Sequence, residues 1–383
     1  MSALNTELVR ETLRQIQDPD LHKDIVSLGF VTKADVDGGN IDVTINLTTP
    51  ACPVKDQMRD QAVQLLSALP GAKEVKVEMT AVPMTNTGPP RNLAPDIRHI
   101  VAISSGKGGV GKSTVTVNLA CALAKTGAKV GILDCDVYGP DIPMMMGLSG
   151  EPETYGKKLI PKERHGVKTM SIGYLLPDDK PVIWRGPMVH KLIEQFLGDV
   201  EWGELDYLLV DMPPGTGDAQ LSLAQIVPLT GAILVTTPQA VSTYDVSKAI
   251  GMFAQVNVDV LGLVENMAGY LVQGRVLGAT AGTEVEIDTG LRTETATTDE
   301  SGAFSAVVNM FGQGGGERLA AKFGFPVIGR IPLNPAVRVG GDGGDPVTIT
   351  DPDSLIAQEF NTVAGRFAQK VAISAHKELP VFQ

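Results

Sequence analysis

The pattern of apolar and polar positions changes character near residue 97. Before it the elements are few and short. Apolar positions in residues 1 to about 17 recur with a helical period, Asn5 or Thr6 can cap that helix, and Asp18-Pro19-Asp20 stops it. Asn40 to Leu47 (NIDVTINL) alternates apolar and polar residues and predicts a strand with one buried face. Pro53 to Leu69 reads as a second helix with proline near its first turn, and Glu74 to Met79 as another strand. Residues 1–82 are therefore expected to form a small α+β domain. Pro83 to Pro95 (PMTNTGPPRNLAP) has no period and reads as a partly extended linker, covering 83–96.

From 97 to 383 short apolar runs alternate with helical stretches, which predicts an α/β fold: a mostly parallel sheet covered by helices on both faces. Val101 and Ile103 mark a buried strand, and Thr114 to Leu119 begins a helix. Lys129–Leu133, Leu205–Val210, Gly231–Thr237 and Leu261–Val264 read as further strands, Ser242–Val256 and Ser354–Ile373 as helices. Strict alternation over Thr283 to Asp288 predicts a solvated β-hairpin.

The candidate chemistry sits where that first strand meets its helix. Gly106-Lys107-Gly108-Gly109-Val110-Gly111-Lys112-Ser113, followed by Thr114, has the phosphate-loop spacing of a glycine, four residues, then Gly-Lys-Ser. Glycines let backbone N–H groups turn inward around a phosphate, and the following helix presents its positive end to the same oxygens. Lys112 can set a charge against the outer phosphates, and the Ser113 hydroxyl suits Mg²⁺. Further strands end in acids, Asp134 and Asp136 after one and Asp211 after Leu205–Val210, at the edge where open α/β sheets bind ligands. Asp211 is expected to hold Mg²⁺, and the Gly215 N–H in the loop after it to sense a γ-phosphate. Gly312 to Leu319 also enters a helix but lacks a lysine and reads as a flexible connector.

Composition narrows the class. The 383 residues are 43% hydrophobic and 20% charged, as in ordinary globular domains, and no apolar run reaches 18 residues. A cytoplasmic protein is expected. The net charge of −12 disfavours nucleic acid or an anionic membrane as partner. Three cysteines far apart, Cys52, Cys121 and Cys135, supply neither a disulfide framework nor a CxxC pair. Cys52 precedes a helix start, which favours a reactive or metal-binding thiolate as readily as a small buried thiol.

The residues GKGGVGKST resemble the deviant phosphate loop of the MinD, ParA, ArsA and nitrogenase iron-protein group. That resemblance implies that Lys107 reaches across a homodimer to the partner's nucleotide, that Asp136 orients the attacking water, and that Asn266 and a loop containing Pro332 contact adenine. Asp18-Pro19-Asp20, Ser27-Leu28-Gly29 and Thr48 to Pro53 resemble the PaaD-like assembly domain, whose cysteine corresponds to Cys52. Asp134 to Pro140, Trp184-Arg185-Gly186-Pro187-Met188, Asp211 to Asp218, Glu265-Asn266-Met267 and Gly314-Gly315-Gly316 are similar to the Mrp/ApbC iron-sulfur carriers. The resemblance implies an ATPase using ATP and Mg²⁺ that passes a 4Fe-4S cluster to apo client proteins. The chain departs from that pattern in an atypical insertion, 268–311, which has no cysteine where those carriers place a CxxC pair. Either Cys52 supplies thiolates, or the cluster role is lost. A MinD/ParA-like regulatory switch and a maturation chaperone without its own cluster stay open beside the carrier.

Overall fold

The computed structural model describes residues 4–17, 23–47, 55–80, 94–175, 186–290 and 292–377. Cys52, Asp18-Pro19-Asp20, Trp184-Arg185 and linker residues 83–93 lie outside them. Contacts divide the chain into two units: Met1–Pro89 with Thr126–Ala128 and Gly365–Gln383, and Pro90–Lys125 with Lys129–Ala364.

In the first unit a three-stranded sheet runs in the order Val31–Asp37, Asn40–Asn46, Glu74–Thr80, its first pair antiparallel and its second parallel. Ile41, Val43 and Ile45 alternate into the core as their spacing predicts. The Lys55–Ser67 helix buries Met58, Ala62 and Leu66, four residues apart and so on one face. Cutting Leu66 back to alanine costs about 2–5 kcal/mol. The first helix, Thr6–Leu13, begins where expected, with Asn5 accepting the Leu8 N–H at 2.8 Å. It ends before Gln17, because Arg14, Gln15 and Ile16 turn to three-residue hydrogen bonds. Val31–Asp37 is a strand the hydrophobic pattern does not announce, since Thr32, Lys33 and Asp35 are polar. Its signal is the Gly38-Gly39 turn, with both φ positive at 56° and 100°.

In the second unit a nine-stranded sheet is formed among the described residues. Its path runs Ala303–Val308, Val260–Arg275, Gly231–Thr236, Ile97–Ser105, Leu205–Asp211, Val130–Asp134, Val167–Ser171, Lys162–Arg164, with Val327–Leu333 also paired to Val260–Arg275. The pairings are parallel except for the one at each end of that path. Every residue of Val130–Asp134, Leu205–Asp211 and Gly231–Thr236 is buried, as strands covered on both faces must be. The strand expected at Leu261–Val264 is only the start of Val260–Arg275. Met267 at φ 53° and Gly269 at φ 94° break its regularity, and the register to Val327–Leu333 shifts between Asn266 and Tyr270. Beyond that break it pairs antiparallel with Ala303–Val308, and Glu284–Asp288 pairs with Thr293–Thr297 as the alternation predicts.

Candidate nucleotide site

The loop Gly106–Gly111 joins the Ile97–Ser105 strand to the Lys112–Lys125 helix. Gly109 and Gly111 both take φ +79°, open to glycine and strained for other residues. Gly106 is required for a second reason: a Cβ there would lie 2.3 Å from the backbone of Asp245 and Val246, so the Ala240–Gln255 helix packs directly on the loop.

Asp211 gathers the site. It is buried, and it accepts hydrogen bonds from Lys112 Nζ at 2.6 Å, Ser113 Oγ at 2.7 Å and Thr116 Oγ1 at 2.7 Å. Thr116 is a contributor that sequence reasoning missed; its signal is its place one helical turn after Lys112. Asp134 is the register partner of Asp211 on the neighbouring strand. Burial first, then the Asp211 carboxylate, push the Asp134 carboxyl well above its ordinary value of 3.8. Burial also raises Asp136 and Asp141, against the pull of Lys112. Asp136 Oδ2 lies 3.9 Å from Lys112 Nζ. Two hydroxyls, an anchored carboxylate and an ammonium beside a glycine loop suit a triphosphate with a hard divalent ion.

Other expected residues lie close by with different partners. The Gly215 N–H donates to Ser105 O at 3.1 Å. Asn266 Nδ2 donates to Val110 O at 2.8 Å, which ties the loop to Val260–Arg275 just before its break at Met267. Pro332 lies inside the strand Val327–Leu333, where a loop was expected, next to Ile331, the register partner of Asn266. Lys107 is half-buried and makes no ion pair among the described residues.

Gly312 to Leu319 is not the flexible connector expected. The N-terminus of the Gly315–Phe323 helix is occupied by the fully buried Glu265, which accepts from Gly316 N–H at 2.7 Å and Arg330 Nε at 3.0 Å. A Cβ on Gly315 would lie 2.3 Å from Pro238 O.

The residues do not fit a thiolate-held cluster in this unit. Cys121 and Cys135 are free and buried; burial pushes the first thiol up to about 12 and raises the second. Among the described residues no group of three or more His, Cys, Asp or Glu is placed to hold a metal, and no helix is long and apolar enough to cross a membrane.

Comparison with known proteins follows the same lines. A model described as a NUBPL iron-transfer P-loop NTPase matches residues 96–280 and 299–368. The chain belongs to that family. Residues 6–79 match an iron-sulfur cluster assembly protein model. Proteins named iron-sulfur cluster carrier protein are 43% identical in a Synechocystis strain, over 97% of this chain and 99% of the relative, and 42% identical in Deinococcus radiodurans, over 98% of each. A nucleotide-binding protein of Archaeoglobus fulgidus, solved with ADP, superposes with a TM-score of 0.50 at 39% identity, covering 65% of this chain and 87% of that one. For this iron-transfer NTPase family, the two matched stretches leave out residues 281–298, which hold the Glu284–Asp288 and Thr293–Thr297 hairpin.

Proposed function

We propose that this chain is an ATP-driven iron-sulfur carrier, in which a nucleotide cycle governs delivery of a cluster to apo client proteins. The observation that carries this reading is the Lys112–Ser113–Thr116–Asp211 cluster beneath the phosphate loop, in a chain of the iron-transfer family. The backbone of Gly106 to Thr114 cradles the phosphates, and Lys112 neutralises the outer ones. Ser113 and Asp211 would hold Mg²⁺, which would supply Lewis-acid neutralisation of the phosphate charge. Asp136, beside Lys112, orients the attacking water. The Gly215 N–H leaves Ser105 O for the γ-phosphate, and Asn266 and Pro332 line the base.

The working form is a cytoplasmic homodimer in which Lys107 of one copy serves the nucleotide of the other, on a chain organised as 1–82, linker 83–96 and 97–383. The cluster is cargo, and with Cys121 and Cys135 buried the thiolate offered to it is Cys52. Anaerobic loading with iron and sulfide tests this: wild type takes up a cluster and activates an apo iron-sulfur enzyme faster with MgATP, and Cys52→Ala loses most of the uptake. A wild-type chain that takes up no iron and activates no client contradicts the reading.

A further inference from the structure

The strand neighbouring Val130–Asp134 on the side away from the phosphate loop belongs to a hairpin, Lys162–Arg164 with Val167–Ser171. This hairpin holds the segment that carries Asp136 from both ends. At the near end Ser171 is the register partner of Asp134. The Ser171 hydroxyl donates to Asp134 Oδ2 at 2.8 Å, and the Asp136 N–H donates to Asp134 Oδ1 at 3.1 Å. Asp134 thus links the hairpin to the backbone of Asp136. Both Ser171 and Asp134 are buried, so bulk water has no ready access to replace a lost hydroxyl.

Two further contacts bear on the same segment. The Gly173 N–H donates to Ser171 Oγ at 3.0 Å, and a Cβ on Gly173 would lie 3.0 Å from Pro143 Cγ, 3.2 Å from Pro140 Cβ and 3.2 Å from Ser171 Oγ. At the far end Arg164 Nη1 donates to the carbonyls of Met146 at 3.2 Å and Gly147 at 3.1 Å, where the Ile142–Met145 helix ends, while Nη2 pairs with Asp345 at 2.8 Å. The backbone from Asp134 to Gly147 is therefore held at both ends by one ribbon.

We infer that Ser171 is a positioning residue for Asp136, and that the 162–173 ribbon sets the rate of nucleotide hydrolysis by fixing the backbone of that aspartate through Asp134. The inference rests on the hydrolytic reading proposed above. A group displaced by a fraction of an ångström loses rate while ground-state binding, made by the loop, Lys112 and Ser113, is kept.

The test is steady-state ATP hydrolysis alongside calorimetric ATP affinity for Ser171→Ala, Ser171→Thr and Gly173→Ala in the full chain. Ser171→Ala is expected to lower kcat about tenfold with affinity and KM within about twofold of wild type. Ser171→Thr keeps the hydroxyl and recovers most of the rate. Gly173→Ala, which keeps the Ser171 side chain but presses on its hydroxyl as well as on Pro140 and Pro143, lowers kcat in the same direction and decides the matter should Ser171→Ala not fold. Wild-type kcat in both Ser171→Ala and Gly173→Ala, or affinity falling in step with kcat, overturns the inference and leaves the hydrolytic reading standing. A wild-type chain that binds ATP without turning it over overturns the hydrolytic reading, and the brace with it.

Discussion

Two regions of the second unit are rich in acids, and they use them in opposite ways. At the carboxyl ends of the central strands Asp134, Asp136 and Asp211 are buried around Lys112 and each accepts a hydrogen bond, Asp136 from the Gly139 N–H at 3.3 Å. On the hairpin left out of the family match, Glu284, Glu286 and Asp288 lie exposed along one strand, opposite Thr297, Thr295 and Thr293. Removing a partner in the first region leaves a carboxyl or ammonium group without solvent, whereas in the second water compensates. A count of acids therefore does not mark a site; acids that the fold has paid to bury do.

Four changes sharpen that contrast, starting with the largest. Lys107→Ala is expected to slow MgATP hydrolysis on the order of a thousandfold while calorimetric ATP affinity stays within about twofold, as for a finger supplied in trans; equal loss of affinity contradicts its assigned role. Asp211→Asn should cut phosphate release about a hundredfold or more, since several kcal/mol of metal-borne stabilisation go with the carboxylate. A variant that keeps its rate places the metal elsewhere.

The third change reads pH. Burial keeps Asp134 protonated to higher pH than its ordinary 3.8, so above that value the folded chain binds more protons than the unfolded one. Stability is then greatest at low pH and falls as pH rises toward the folded-state value. Asp134→Asn is free of that loss. Its thermal midpoint relative to wild type should climb as pH is raised above 3.8, and a gap that stays flat contradicts the upward shift of the buried carboxyl. The smallest effect belongs to the hairpin. The Thr298 N–H already donates to Thr283 O at 3.0 Å, so residues 284–297 can be replaced by Asn-Gly. Stability should shift by no more than about 0.5 kcal/mol and ATP affinity by less than about twofold. A large loss of either gives the hairpin a role in the nucleotide unit.

What could be read from the sequence follows the same division. The loop was legible because glycine, lysine and serine at fixed spacing between a strand and a helix have few other uses. The buried central strands were legible because their apolar runs are continuous. Thr116 was not, since its one sign, a place one helical turn after Lys112, does not by itself say that its hydroxyl faces Asp211. Glu265 was not, because a carboxylate buried against Gly316 and Arg330 looks, in sequence, like any acid at a strand end. The full length of Val260–Arg275 was hidden by the break at Met267 and Gly269, where a left-handed residue reads as the end of a strand. The loop at Pro332 is implied by the family resemblance alone, and nothing in the residues themselves shows that Val327–Leu333 runs on as a strand through it.

The central claim is that a triphosphate with its magnesium occupies the loop above Asp211, and calorimetry of ATP binding to wild type and Lys112→Ala, with and without Mg²⁺, tests it most directly. Magnesium-dependent uptake by wild type, lost in Lys112→Ala by about a hundredfold or more, is the expected result. No uptake by wild type, or equal uptake by both, contradicts it.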